Sequence, residues 1–239
     1  MIDSTSLPME VERRQRFRHP HPTLATDLVL VRHGRTAANH AGKFQGSIDL
    51  PLDTLGLQQA ERVAERVARE FPGERLLTSP LLRARQTADA IAARTGLEPD
   101  LVPNLREMNF GSFEGKSFRE IAQIDPGFVA RLADYSDDDL RWPGGERRGG
   151  FTKRIWNAFE EVVAAHPGKH VTVVAHGGVI GAFMAMLRGA SPNDPAIYGL
   201  ANCSITHLRV LASHTEVRRF NDTDHLLDTI DRPATEELV

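Results

Sequence analysis

The sequence is poor in cysteine and contains no long apolar run. Its 239 residues include one cysteine, Cys203, which excludes an internal disulfide framework and any cysteine-rich metal site. The longest strongly apolar stretch, Val179–Leu187, is about half the length that a membrane-spanning helix needs. The first thirty residues have no apolar core of the kind found in secretory signals. We therefore expect a cytoplasmic protein without a membrane partner.

The sequence also lacks an excess of charge of either sign. It has 29 lysines and arginines against 32 aspartates and glutamates, for a formal net charge of −3, which gives no electrostatic reason to bind nucleic acid. Lysine itself is scarce, at 4 residues against 25 arginines. Arginine holds phosphate and carboxylate groups in a fixed, two-pronged geometry. Individual arginines are therefore candidates for contacting an anionic substrate, although most of the surplus indicates a compositional bias.

Residues 1–26 are predicted to form a flexible N-terminal arm. Pro8, Pro20 and Pro22 interrupt this segment, and no apolar periodicity lasts for a full helical turn. Residues 27–239 are predicted to form a single domain. Within it, the stretch 111–150 has mixed signals and is long for a connection, which is typical of a segment that covers an active site.

The domain alternates β-branched runs with amphipathic stretches. This alternation predicts an α/β fold of three layers, with a largely parallel central sheet and helices on both faces. Ser79 and Pro80 are expected to start one helix, and Gly96 to end it. The predicted strands are 27–31, 75–78, 170–175, 204–211 and 215–220. The predicted helices are 54–70, the Ser79-capped segment to 95, 118–124, 151–162 and 179–187.

Charged and polar residues follow three of the predicted strands. Arg32 and His33 end the first strand, Arg83 lies in the first turn of the helix after the second, and His176 follows the strand 170–175. Ligands of open α/β sheets bind beyond the carboxyl ends of the strands, so we expect these side chains to meet. Two guanidinium groups beside two imidazoles suit a phosphoryl group.

These residues suggest a division of roles. His33 is the candidate nucleophile, and nearby guanidinium groups should lower its pKa below the ordinary value of about 6.5. His176 would donate to the phosphoryl oxygens as negative charge develops on them. The leaving alcohol needs a proton, for which Glu107 is the candidate.

Longer motifs around these residues resemble the histidine phosphatase superfamily, in its phosphoglycerate mutase-like branch. The resemblance spans residues 27–226 and keeps the order of motifs expected for that family. The motifs are Leu30–Asn39, Phe44–Gly46, Thr78–Ala88, Glu107 with Phe110–Gly111, Gly144–Glu146, Val174–Gly178 and Asn202–Ile205.

The resemblance implies a phosphatase that hydrolyses small phosphomonoesters and needs no metal or other cofactor. Its implied intermediate is a phosphohistidine on His33, with Glu107 as the proton donor that later activates water. A homodimer is left open. The implied substrate and phosphate pocket consists of Arg32, Arg83, His176, Asn39, Gln45 and Gly46.

Two positions depart from the family pattern and bear on the substrate. Arg35 stands where an acid or amide is usual, and Arg147 where serine is common. These added cations motivate the expectation that the substrate carries a second anionic group, such as a carboxylate.

Three other functions compete with the phosphatase. A mutase would pass the phosphoryl group to a second alcohol, but the segment between Glu107 and His176 resembles the shorter version found in phosphatases. A binding module without catalysis is disfavoured because all the expected catalytic residues are present. A cysteine-dependent phosphatase is suggested by the spacing of Cys203 and Arg209, but the residues between them favour a strand rather than a phosphate-binding loop.

Overall fold

A computed structural model describes residues 17–194 and 199–227. Six strands form one sheet in the order β3-β2-β4-β1-β5-β6. The strands are β1 Thr26–Arg32, β2 Arg75–Thr78, β3 Pro99–Leu101, β4 His170–Ala175, β5 Ile205–Val210 and β6 Thr215–Asp222. The helices are α1 Ala37–His40, α2 Thr54–Glu70, α3 Leu82–Thr95, α4 Phe118–Ile124, α5 Pro126–Leu132, α6 Arg148–Ala165 and α7 Gly177–Arg188. No helix in the described ranges is long and apolar enough to cross a membrane.

The sheet is largely parallel, as predicted. Strands β1, β2, β3 and β4 run in one direction. Strand β5 pairs antiparallel to β1, and β6 pairs antiparallel to β5 at the edge of the sheet. The carboxyl ends of β1, β2 and β4 therefore lie at the same edge of the sheet. The predicted strand and helix types are confirmed at each of their positions, with boundaries shifted by a few residues.

Helices cover both faces of the sheet because successive residues of β1 point to opposite sides. Leu28 and Leu30 belong to an apolar cluster that contains residues of α6 and α7. Val29 and Val31 belong to a second cluster, which contains residues of α2 and α3. All four side chains are buried, so the predicted three-layer α/β architecture is confirmed.

The predicted N-terminal arm needs a correction over its last ten residues, 17–26. Phe17 is buried against the rings of Trp156 and Phe183, and the backbone N–H of His19 donates to the carbonyl of Leu211. This segment packs on the domain because Phe17 supplies apolar surface to the α6–α7 side of the core. The rest of the predicted arm, residues 1–16, lies outside the described residues.

The predicted start of α3 is wrong. The helix begins at Leu82 rather than beside Ser79, and Leu81 at its N-cap position has no side chain that can cap it. Asp49, from a different loop, accepts the Leu82 N–H at 2.5 Å instead. The predicted end of the helix at Gly96 is confirmed, since Gly96 adopts a left-handed conformation with φ of 73°.

The segment 111–150 contains α4, α5 and a tight loop, and its buried side chains join the apolar core. Trp142 and Phe113 anchor it, because both side chains are buried in the same core cluster. The N–H of Glu146 donates to the carbonyl of Asn109 at 2.8 Å. This bond brings the loop that contains Gly144 and Gly145 next to the segment that carries Glu107.

Candidate active site

His33 lies at the end of β1 and is almost completely buried, with 3% of its surface exposed. Its Nδ1 atom is 2.7 Å from the carbonyl oxygen of Gly34. A carbonyl can only accept a hydrogen bond, so Nδ1 carries the proton and Nε2 of the neutral ring carries the lone pair. The backbone thus fixes the tautomer in which Nε2 can act as a nucleophile.

The surroundings of His33 keep its ring neutral. Burial and the positive charges of Arg83 and Arg32 hold the pKa of His33 well below its ordinary value of 6.5. The sequence analysis predicted that the pKa of His33 would be lowered in this way. Burial, followed by Arg83, likewise holds the pKa of His176 well below 6.5. Both imidazoles are therefore uncharged at neutral pH.

His176 directly follows β4, and its ring lies beside the ring of His33, with 5.2 Å between the two ring centroids. Its Nε2 atom lies 2.7 Å from the hydroxyl oxygen of Ser79. That hydroxyl also accepts the N–H of Leu81, and its second lone pair and its proton both remain available to Nε2. In the tautomer in which the Ser79 hydroxyl donates to Nε2, Nδ1 of His176 carries the ring proton. Nδ1 is buried and has no protein partner within the described residues, so in this tautomer His176 has one free donor for a ligand oxygen.

Two arginines lie beside the imidazoles, the buried Arg83 and the partly buried Arg32. Arg32 donates to the carbonyl of Leu200, and Arg83 donates to the carbonyls of Ile48 and Gly46 at 2.9 and 2.8 Å. These bonds fix the direction of each guanidinium group. The Nε–H groups of both arginines are buried without a partner in the described part of the chain. Unsatisfied buried donors are costly, so an anion that accepts from them would be held firmly.

Glu107 lies across from these arginines at the N-terminus of α7. Its carboxylate accepts the N–H of Gly178 at 3.0 Å and the N–H of Met108 at 3.0 Å. A Cβ atom at position 178 would come within 2.3 Å of Oε1 of Glu107. Glycine at position 178 therefore makes room for this carboxylate.

The remaining residues of the predicted pocket support the site in different ways. Gly46 has φ of 54° and offers its carbonyl to Arg83. Gln45 is buried, and its Oε1 atom has no partner among the described residues. Asn39 forms the capping box of α1 with Thr36, through its Oδ1 atom. Gln45 therefore has an unsatisfied acceptor near the site, whereas the oxygen of Asn39 is committed to the loop.

Three contributors to the site were not assigned from the sequence. Ser79 was expected to cap a helix, but its hydroxyl contacts His176. The Nδ2 group of Asn202 donates to the carbonyl of His33 at 3.0 Å. The N–H of Cys203, which has φ of 54°, donates to the carbonyl of Arg32 at 3.0 Å. The family motif at 202–205 was the available signal for the last two.

Arg35 and Arg147 do not supply the unpaired cations that the sequence suggested. The Nε group of Arg35 contacts Asp53 at 2.8 Å, with both side chains mostly covered. Arg147 contacts Asp139 at 2.9 Å on the surface. Each guanidinium charge is therefore offset by a carboxylate of this chain.

A cavity of about 390 Å³ opens beside Glu107. Ser47, next to Gly46, and Leu81, two residues before Arg83, line one part of its wall. Gly144, Gly145 and Glu146 line another part, contributed by the segment 111–150. Across residues 17–194 and 199–227, no group of three or more histidine, cysteine, aspartate or glutamate side chains is placed to hold a metal ion.

The geometry agrees with a known family. The family model of the histidine phosphatase superfamily, branch 1, matches residues 28–223. The chain belongs to this superfamily.

Individual relatives agree with this assignment. The metal-independent phosphoserine phosphatase of Arabidopsis thaliana is 37% identical over 187 residues, which cover 77% of each chain. Phosphoglycerate mutase-like protein 4 of the same plant is 33% identical over 206 residues, 85% of this chain and 88% of its own. A crystal structure of phosphoserine phosphatase from Entamoeba histolytica superposes with a TM-score of 0.73 at 29% identity, covering 84% of this chain and 100% of that one. The superfamily member described here is a phosphoric monoester hydrolase.

Proposed function

We propose that this protein is a metal-independent phosphatase that hydrolyses small phosphomonoesters through a phosphohistidine on His33. One observation carries the proposal: the buried Nε–H groups of Arg32 and Arg83 and the buried Nδ1 atom of His176 have no protein partner among the described residues, and they lie around the neutral imidazole of His33, whose tautomer is fixed. A phosphoryl group accepts from both arginines, and from His176 in the tautomer that carries its proton on Nδ1, and its phosphorus then lies before Nε2 of His33. The two guanidinium charges perform the neutralisation that metal ions perform in other phosphoryl transfers.

In the first step, the Nε2 lone pair of His33 attacks the phosphorus, and the bond from phosphorus to the alcohol oxygen breaks. Glu107 in its protonated form donates its proton to that oxygen, so the alcohol leaves neutral. The phosphorylated ring gains positive charge, which the Nδ1–H bond to Gly34 stabilises.

In the second step, the Glu107 carboxylate accepts a proton from water while the water oxygen attacks the phosphorus. The phosphorus–nitrogen bond breaks and its electron pair returns to Nε2. Inorganic phosphate is released, and both His33 and Glu107 are restored to their starting forms. A mutase would differ only here, with a second alcohol taking the place of water.

The test is phosphate release from a panel of phosphomonoesters in excess chelator. We expect full turnover without added metal, and we expect 3-phosphoglycerate to yield phosphate whether or not bisphosphoglycerate is present. A strict requirement for magnesium would contradict the metal-independent mechanism. Conversion of 3-phosphoglycerate to its isomer, dependent on bisphosphoglycerate and faster than phosphate release, would identify a mutase instead.

A further inference from the structure

Arg106 is an exposed arginine that directly precedes Glu107 and lines the same cavity. Within the described residues, no carboxylate lies within ion-pair distance of its guanidinium group and no hydrogen bond holds that group. It differs in this from Arg35 and Arg147, whose charges are offset by Asp53 and Asp139.

The other cation of the cavity wall, Arg154, is already occupied. Its Nε and Nη2 groups contact both carboxylate oxygens of Glu146, at 3.0 and 2.9 Å. Its Nη1 group donates to the carbonyls of Asn104 and Arg106, at 2.7 and 2.9 Å. The charge of Arg154 is therefore offset by Glu146, and its hydrogen bonds hold the backbone from which the Arg106 side chain extends.

The charge of the cavity changes when the site is ready to react. Glu107 must be protonated to donate to the leaving alcohol, and it is then neutral. With Arg154 offset by Glu146, Arg106 becomes the one charge of the cavity-lining residues that has no counter-charge. A single guanidinium group matches the single charge of a carboxylate better than the nearly double charge of a second phosphate.

We propose that Arg106 selects phosphomonoesters whose alcohol part carries a carboxylate. The inference rests on the proposed function, because it places the leaving alcohol beside Glu107. It also moves the recognition of a second anionic group from Arg35 and Arg147, where the sequence suggested it, to a residue of the cavity wall.

The experiment compares 3-phosphoglycerate with glycerol 3-phosphate, which is of similar size but has a hydroxymethyl group in place of the carboxylate. We measure kcat/KM for both by phosphate release, in the unmodified protein and in Arg106→Gln, Arg106→Lys and Arg147→Gln. We expect the unmodified protein to favour the carboxylate by about tenfold, as a charge-assisted hydrogen bond provides.

In Arg106→Gln that ratio should fall to near one. Arg106→Lys, which keeps the charge, should retain part of the preference for the carboxylate. Arg147→Gln should retain all of that preference. Because Arg106 is exposed, added salt should reduce the ratio in the unmodified protein as well. Equal kcat/KM for both substrates in the unmodified protein, or an unaltered ratio in Arg106→Gln, would overturn the role of Arg106 while leaving the phosphatase in place. Absence of phosphate release from every phosphomonoester would overturn the proposed function itself.

Discussion

His33 combines three conditions that a nucleophilic imidazole needs. Burial and two neighbouring guanidinium groups keep its ring neutral, and the Gly34 carbonyl selects the tautomer with a free Nε2. The Nδ2 group of Asn202 holds the backbone of His33 by donating to its carbonyl oxygen. The proposed nucleophile is thus positioned before substrate binds, so the proposed reaction step needs little reorganisation.

Glu107 can be tested separately from the nucleophile through the leaving group. In Glu107→Gln, we expect hydrolysis of an alkyl phosphate to fall by about 10²–10⁴-fold, because the alcohol loses its proton donor. An aryl phosphate needs no such proton, so it should still phosphorylate His33. Stopped-flow measurement with p-nitrophenyl phosphate should then show a burst of nitrophenol followed by slow turnover, since water activation is impaired.

The comparison of the two substrates decides the role of Glu107. If the burst with p-nitrophenyl phosphate were slowed as strongly as alkyl phosphate hydrolysis, Glu107 would not be the proton donor. Glu114→Gln serves as a partial control, because Glu114 accepts backbone N–H groups near Gly46 and lies outside the cavity-lining set. Glu114→Gln should change the reaction rates of the alkyl phosphate and of p-nitrophenyl phosphate by the same factor.

At the level of elements, the sequence predicted every long helix and five of the six strands. These elements have strong local signals, namely β-branched runs and apolar stripes. The three-residue β3 and the four-residue α1 were missed because so few residues show no periodicity, and the seven-residue α5 was missed as well. The packing of Phe17 was missed because it depends on α6 and α7, which are distant in sequence.

The residues of the proposed catalytic set could be singled out from the sequence because glycine-flanked histidines follow buried strands. The ion pairs of the surrounding arginines could not be predicted from the sequence, since they depend on which carboxylate each arginine contacts in the fold. Arg35 pairs with Asp53 and Arg147 with Asp139, and neither contact has a signal in the local sequence. The guanidinium group of Arg106 has no partner among the described residues, and the local sequence gives no signal for this either.

Two polar residues near the start of α3 have different roles, one in the stability of the helix and one in the site. Asp49 caps the helix at the N–H of Leu82, whereas Ser79 orients His176. We expect Asp49→Ala to lower the free energy of unfolding by about 1 kcal/mol, as loss of an N-cap does. Ser79→Ala should lower kcat about tenfold with a smaller loss of stability, because a misoriented imidazole stabilises the transition state less.

Urea unfolding and steady-state kinetics on both variants check this assignment. Asp49→Asn, which keeps an acceptor oxygen, should recover most of the stability. A loss of stability in Ser79→Ala as large as that in Asp49→Ala, with kcat intact, would return Ser79 to the capping role that the sequence suggested.

At the level of the whole molecule, the site makes stability depend on pH. The pKa values of His33 and His176 are lowered by burial and by positive neighbours, so the folded protein leaves both rings neutral while the unfolded chain protonates them below about pH 6.5. The unfolded state then binds more protons, and stability falls as pH falls. Between pH 7 and pH 5.5 we expect the two rings to remove about 2 kcal/mol together.

Urea titrations at several pH values measure this effect. His33→Gln should lose about half of the slope that His33 and His176 contribute together, because one of these two neutral rings is then absent. An identical slope in the variant and the unmodified protein would show that His33 is protonated in the folded state and that its environment differs from the one described.

The most direct test of the account is to trap the phosphorylated enzyme. The protein is mixed with a phosphomonoester, quenched within milliseconds at alkaline pH to preserve a phosphorus–nitrogen bond, and analysed by peptide mass spectrometry. We predict one phosphoryl group on His33, none in His33→Ala, and a lower yield in His176→Asn. Phosphorylation of another residue, or normal labelling of His33→Ala, would contradict the central claim.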